Sequence, residues 1–224
     1  MVKSKAWDWN NLNHETRREL WLEPSIESYY LVNRWKTQKK KSFLDLGCGI
    51  GRHTIQFAKA GFKTTAVDLS VEALRQTKEW ADEENLFINV KYADMLDLPF
   101  ANNCFDCILC RNVISHTDTQ GIIKIIDRIY DMLKADGECF LTLGSKNAST
   151  FNDLKNEYID ENTRARMDEG PEKGIPHFYA DMDIIPELFR NFEIIDLYQT
   201  QEFHKDENGN YISFWHYNLL IKKI

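Results

Sequence analysis

Three glycines at alternate positions, Gly47, Gly49 and Gly51, follow an apolar run that ends in an acid, Asp45, in the stretch FLDLGCGIG. Glycine weakens helix and strand interiors alike, so this stretch reads as a turn that lets a ligand come close to the backbone. The spacing is G-x-G-x-G and not the G-x-G-x-x-G of dinucleotide sites. A carboxylate two residues before the first glycine repels a pyrophosphate and attracts a ligand that carries an ammonium and a sulfonium. Two more acids close later apolar runs: Asp68 in KTTAVDLS and Asp94 in FINVKYADM. A carboxylate at the end of a second strand accepts hydrogen bonds from ribose hydroxyls. Asp94 can accept one from an exocyclic amine, with Met95 packed on the base.

Strands and helices must deliver these groups to one edge. SFLDLG, KTTAVDLS, FINVKYAD, FDCILCRN and ECFLTLG read as strands. Between them RHTIQFAKAG reads as a helix ended by Gly61, and VEALRQTKEWADEEN as a helix capped by Ser70. GIIKIIDRIYDMLKADG carries Ile122, Ile125, Ile126, Ile129 and Leu133 at helical spacing, with Gly137 closing it. This alternation predicts an α/β fold: a mostly parallel sheet with helices on both faces and right-handed crossovers. Ligands of such sheets bind outside the carboxyl ends of the strands. Residues 1–41 form an N-terminal cap, with a helix opening at Pro24 and Ile26, Tyr29, Tyr30 and Asn33 on one face. Residues 42–144 form the core, 145–180 a polar insertion, and 181–224 a short helix and an antiparallel hairpin turned at KDENGN. All belong to one domain.

Composition narrows the function. The chain has 224 residues and a formal net charge of −7, which argues against a protein that tracks nucleic-acid phosphates. No apolar run reaches membrane-span length, and MVKSKAWDWNN lacks the apolar stretch of a signal peptide. Five cysteines, an odd number, point to reduced thiols and a cytoplasmic address. Cys104, Cys107 and Cys110 lie three apart, but on a strand such positions alternate in face. No fourth ligand follows at a familiar spacing, so no metal centre is expected.

LDLGCGIG, TAVDLS, YADMLDLPF and FDCILCRNVISH together resemble the class I, Rossmann-like S-adenosylmethionine-dependent methyltransferases, over about Phe43 to Gly144. The resemblance implies a seven-stranded sheet with its last strand antiparallel. It implies S-adenosyl-L-methionine as cofactor and S-adenosyl-L-homocysteine as product. Asp45 and the turn of Gly47, Cys48, Gly49 and Gly51 would face the methionine end, Asp68 and Leu69 the ribose, Asp94 and Met95 the adenine. Arg111 and Asn112 would lie beside the reacting methyl. CRNVISH is not the N-P-P-Y run of enzymes that act on base or glutamine amines, and WxH-like and HFY elements near the C-terminus resemble small-molecule methyltransferases, which implies a small-molecule acceptor. Rival readings are an NAD-type oxidoreductase on the same fold and a non-catalytic S-adenosylmethionine-binding protein.

The acceptor side is written less plainly. In-line methyl transfer asks the protein mainly to orient and desolvate. His116, just past the fourth strand, is the candidate base, since histidine titrates near neutral pH. Trp21 and Tyr30 in the cap, and His177 and Tyr179 in PHFY, are candidate substrate contacts. Gly170 and Gly174 give the insertion the hinges of a lid. His216, beside Trp215 on a strand, reads as a core residue, and the oligomeric state is not written in the sequence.

Overall fold

The computed structural model describes residues 5, 7, 9, 21–167, 172–205 and 211–224. The first helix of known bounds, α1 (Ile26–Thr37), leads into β1 (Ser42–Leu46), α2 (Arg52–Lys59), β2 (Lys63–Asp68), α3 (Val71–Glu83), β3 (Ile88–Tyr92) and β4 (Phe105–Cys110). Then come α4 (Thr119–Met132), β5 (Leu133–Ser145), α5 (Ser149–Asn152), β6 (Glu157–Asp160), β7 (Thr163–Ala165) and β8 (Pro176–Ala180). The chain closes with α6 (Ile185–Leu188), β9 (Phe192–Lys205) and β10 (Tyr211–Lys223). The main sheet runs β3-β2-β1-β4-β5-β10-β9, with β1 to β5 parallel and β10 antiparallel to both neighbours. The mostly parallel sheet with its last strand antiparallel matches the expectation, but the sheet has ten strands and not seven, because β8, β7 and β6 join it through β5.

The central strands β1, β4 and β5 are buried on both faces and so are mostly apolar, whereas the edge strand β3 is exposed beyond Ile88. Phe43, Cys107, Leu109 and Phe140 meet Leu31 and Trp35 of α1 and Phe57 of α2; the Phe43 and Phe57 rings stack at 3.8 Å. Leu44, Ile108, Cys110 and Leu141 on the opposite face meet the Ile122, Ile125, Ile126 and Ile129 stripe of α4. Each large side chain so buried contributes about 1.5–3 kcal/mol. Cys107 and Cys110 therefore point to opposite faces. Side-chain caps start two helices: Ser70 Oγ accepts from Ala73 N at 3.3 Å and Asp118 Oδ1 from Gly121 N at 2.8 Å. Glu138, buried on β5, fixes α1 across the sheet by accepting from Arg34 Nε (2.9 Å), Trp35 Nε1 (2.8 Å) and Gln38 Nε2 (3.0 Å).

Three local expectations give way. The first helix opens at Ile26 with Ser25 as N-cap, so Pro24 lies outside it. Its buried face is Ser28, Leu31 and Trp35, while Ile26, Tyr29 and Tyr30 are exposed, because Trp35 must reach Glu138. The helix α4 ends at Met132, not at Gly137. Leu133 keeps its place in the core but on extended backbone paired with Phe105 of β4, so side-chain periodicity runs on past the helix. The region after β5 is more than a polar insertion: β6, β7 and β8 form an antiparallel ribbon, and β8 joins β5 in parallel through Gly144↔Tyr179 and Ser145↔Ala180. The ladder of β4 along β5 stops at Leu141 and β10 covers the other edge. The ribbon thus takes up the free edge of β5 beyond the carboxyl end of β4. The Gly170 hinge and the Asn-Gly turn at 208–209 lie outside the described residues. Among the described residues no helix is long and apolar enough to cross a membrane.

Candidate active site

The turn after β1 is pinned by backbone and by one carboxylate. Gly47 N and Cys48 N both donate to Val67 O, at 2.8 and 2.9 Å. Gly49 N donates to Asp68 Oδ2 (2.9 Å) and Ser70 N to Asp68 Oδ1 (2.8 Å). Gly47 and Gly49 sit at φ of 72° and 54°, where other residues are strained. A Cβ on Gly47 would lie 2.4 Å from Val113, and one on Gly49 2.8 Å from Trp9. Glycine is therefore demanded by the protein's own side chains. Close approach of a ligand is thus not the sole reason for these glycines.

The three acids stand at the carboxyl ends of adjacent strands. Asp45 is 2% exposed on β1. Burial pushes its carboxyl up to about 6, although Thr54 Oγ1 donates to it at 2.6 Å. Asp68 closes β2, and burial raises it too, against the pull of the Ser70 and Gly49 N–H groups. Asp94 lies just past β3, its Oδ1 accepting from Leu96 N at 2.8 Å, with Met95 packed on the main core. Leu69 links β2 to the Ser70 cap. Cys48 turns away from this rim: its Sγ lies 4.0 Å from Thr77 Oγ1, and it packs on Ala66 and Leu74.

Past β4, Asn112 adopts φ 58°. It is held to β5 through Thr142, whose Oγ1 accepts from Asn112 N (2.7 Å) and donates to Asn112 Oδ1 (3.0 Å). Arg111 lies between Glu27 of α1 (3.6 Å) and Glu202 of β9 (3.7 Å). Arg52 nearby is lowered to about 10 by burial and by Arg111. Over the glycine turn, Trp7, Trp9 and Trp21 pack edge to face at 4.7 to 5.6 Å. The Arg52 guanidinium stands 5.2 Å from the Trp21 ring. Tyr30 is not brought here: it lies on the exposed side of α1, its hydroxyl 3.3 Å from Arg34 Nη1.

The acceptor-side candidates do converge. His116 and His177 rings lie 4.8 Å apart, and Tyr179 is 6.5 Å from His177 with its hydroxyl donating to Thr150 Oγ1 at 3.0 Å. The β8 strand is tied to the turn after β4 by Phe178 N donating to Ser115 O at 2.7 Å. Between the histidines stands Glu172, 4.0 Å from His116 Nε2, 3.7 Å from His177 Nε2 and 2.5 Å from Arg166 Nη1. Burial, then His177, push His116 down to about 4, against the pull of Glu172. Burial alone would raise Glu172, but His177, Arg166 and His116 outweigh it and hold it at about 2. Sequence reasoning missed Glu172 and Arg166, which lie in a mixed-charge tract without periodicity. Trp9 was legible only as one of several aromatics.

Comparison with known proteins agrees with this geometry. Residues 43–137 match the model of a methyltransferase domain family. An uncharacterised protein of Methanocaldococcus jannaschii is 32% identical over 124 residues, 54% of this chain and 51% of that protein. A ubiquinone biosynthesis O-methyltransferase of Coxiella burnetii is 31% identical over 147 residues, 65% of this chain and 61% of that protein. The chain thus spans about half to three-fifths of these relatives. An S-adenosylmethionine-dependent methyltransferase structure from Clostridium acetobutylicum superposes with a TM-score of 0.70 at 18% identity, covering 96% of this chain and 98% of that one. That likeness concerns the fold. The family match falls on the stretch that builds the glycine turn and carries all three acids: residues 43–137 are similar to a methyltransferase domain, and the fold is shared with an S-adenosylmethionine-dependent methyltransferase structure.

Proposed function

We propose that this protein transfers the methyl group of S-adenosylmethionine to a small-molecule acceptor by in-line displacement. The observation that carries the reading is the row of Asp45, Asp68 and Asp94 at the ends of adjacent strands around the glycine turn. The donor set fits the cofactor. A buried carboxylate raised to about 6 gains from a cation placed against it, so Asp45 suits the ammonium of the methionine end. The two Asp68 oxygens each accept one backbone N–H and retain lone pairs for the ribose hydroxyls. Asp94 and Met95 frame the base. When bound, the cofactor supplies an activated methyl group. Arg111 and Asn112 line the rim beside it, and the tryptophan cluster and the β6–β8 ribbon exclude water from two sides. With its pKa lowered to about 4 by burial and by His177, His116 is neutral at pH 7, a weak base that can accept a hydrogen bond from an acceptor hydroxyl or thiol and orient it. Five free thiols support a cytoplasmic setting.

The test is a radiolabelled methyl-transfer screen against metabolite pools, with products separated by mass. The Coxiella relative is an O-methyltransferase by name, which makes hydroxyl acceptors the first to try. Calorimetry runs alongside. A nicotinamide cofactor bound more tightly than S-adenosylmethionine would overturn the proposal in favour of an oxidoreductase.

A further inference from the structure

His116, Glu172 and His177 present ligand atoms that all lie within 4.8 Å of one another. The tautomer of His177 is fixed by chemistry. Its Nδ1 lies 2.9 Å from Ile175 O, and a carbonyl can only accept, so Nδ1 carries the proton. Its Nε2 faces Glu172 Oε2, at 3.7 Å. His116 Nε2 faces the other oxygen of the same carboxylate at 4.0 Å. Two ring nitrogens and a carboxylate are thus directed at one point, which is the donor set of a metal site.

We propose that His116, Glu172 and His177 bind one divalent transition-metal ion, with Zn²⁺ the natural occupant. Two imidazoles and a carboxylate suit a borderline-soft ion better than Mg²⁺, which demands oxygen ligands. The surroundings follow the habit of metal sites: a ligating histidine donates its other N–H to a carbonyl, and the ligating carboxylate is itself hydrogen-bonded. Ile175 O and Arg166 fill those two roles. Zinc–ligand bonds of about 2.0–2.2 Å ask the three groups to close by roughly half an ångström. Glu172 can supply this movement, because it sits in a short turn ended by Gly174 at φ 73°. Three protein ligands leave a fourth position open.

His116 and His177 are also the acceptor-side candidates, so an acceptor would take the open position. A hydroxyl or thiol bound there would lose its proton readily, and His116 would serve as ligand in place of base. That consequence rests on the methyl-transfer reading; the metal site does not. The site escaped the cysteine arithmetic because its ligands come from the turn after β4, a loop and β8, brought together only by the β5–β8 pairing.

Calorimetric titration of the chelator-treated full chain with Zn²⁺, and with Co²⁺ as an absorbing probe, tests it. One ion per chain is expected, with visible Co²⁺ bands of a low-coordinate site. His177→Ala and Glu172→Gln should each weaken binding at least tenfold. Should either variant fail to fold by circular dichroism, His116→Gln replaces it. Absence of binding at millimolar Zn²⁺, or affinity unchanged in the folded variants, overturns the site. Chelation should slow methyl transfer without altering S-adenosylmethionine affinity; transfer indifferent to chelator in a chain that binds Zn²⁺ overturns the acceptor role alone.

Discussion

The two sides of the rim are built by opposite means. The cofactor side comes from one continuous stretch, Asp45 to Asp94, and each acid ends a strand whose place the βα units dictate. Its geometry is held by backbone: Gly47 and Cys48 on Val67 O, Gly49 and Ser70 on Asp68. The acceptor side gathers His116, Arg166, Glu172 and His177 from the turn after β4 and from the ribbon. That ribbon is joined to the main sheet by two residue pairs. Binding a common cofactor needs a turn that local sequence can specify, whereas a particular acceptor is met by side chains on a late addition to the sheet. Substitutions on the two sides should therefore separate cofactor affinity from methyl transfer.

The largest effect is expected at the turn. Gly47→Val places a branched side chain at a left-handed position and drives its Cβ into Val113. Strain of about 1–3 kcal/mol adds to the clash, so S-adenosylmethionine binding should be lost and the melting temperature lowered. Calorimetry showing normal affinity in a folded variant would move the cofactor elsewhere. Asp68→Ala follows, weakening cofactor binding by about 1.5–3 kcal/mol for a lost charged hydrogen bond. It should also lower thermal stability, because Gly49 N and Ser70 N lose their acceptor.

Asp45→Asn should set stability against binding. The folded-state pKa near 6 lies above the ordinary 3.8, so the folded chain holds the proton more tightly than the unfolded one. The ionised carboxyl thus costs stability above about pH 6, and the cost vanishes below about pH 4. A shift of about two units is worth about 3 kcal/mol at most. The variant should melt higher at pH 8 and equally at pH 4, by calorimetric scans, yet bind S-adenosylmethionine more weakly. In the parent protein, cofactor affinity should fall as pH drops through 6. Equal melting at pH 8 would show that Asp45 is not destabilised by burial. The smallest effect lies across the rim: His177→Ala should slow methyl transfer at least tenfold, about 1.4 kcal/mol, with cofactor affinity unchanged. If affinity falls and the transfer rate of the saturated enzyme does not, the division between the two sides is wrong.

Legibility followed the same division. The strands of the parallel core could be read: burial on both faces makes β1, β4 and β5 apolar runs, and a glycine or an acid closes β1, β2, β3 and β5. The helix α3 was legible from Ser70, and the stripe of α4 from four isoleucines. The end of α4 was not, since Leu133 continues the periodicity on strand backbone. Nor was the buried face of α1, which depends on Glu138, a hundred residues away in the chain. His116, His177 and Tyr179 could be picked by type, but Glu172 could not.

What the sequence determined by itself is what repeats locally: β–α order, the glycine turn, the acids at strand ends and the caps that start two helices. Tertiary structure alone decided that Trp9 closes on Gly49, that Tyr30 faces away, and that two histidines meet over one carboxylate. The physical reason is range. Periodicity and turn chemistry act over a few residues and leave a mark in the sequence. A contact such as Glu172 with His116 is set by which strand edge remained open for β8, and no short stretch of sequence carries that information.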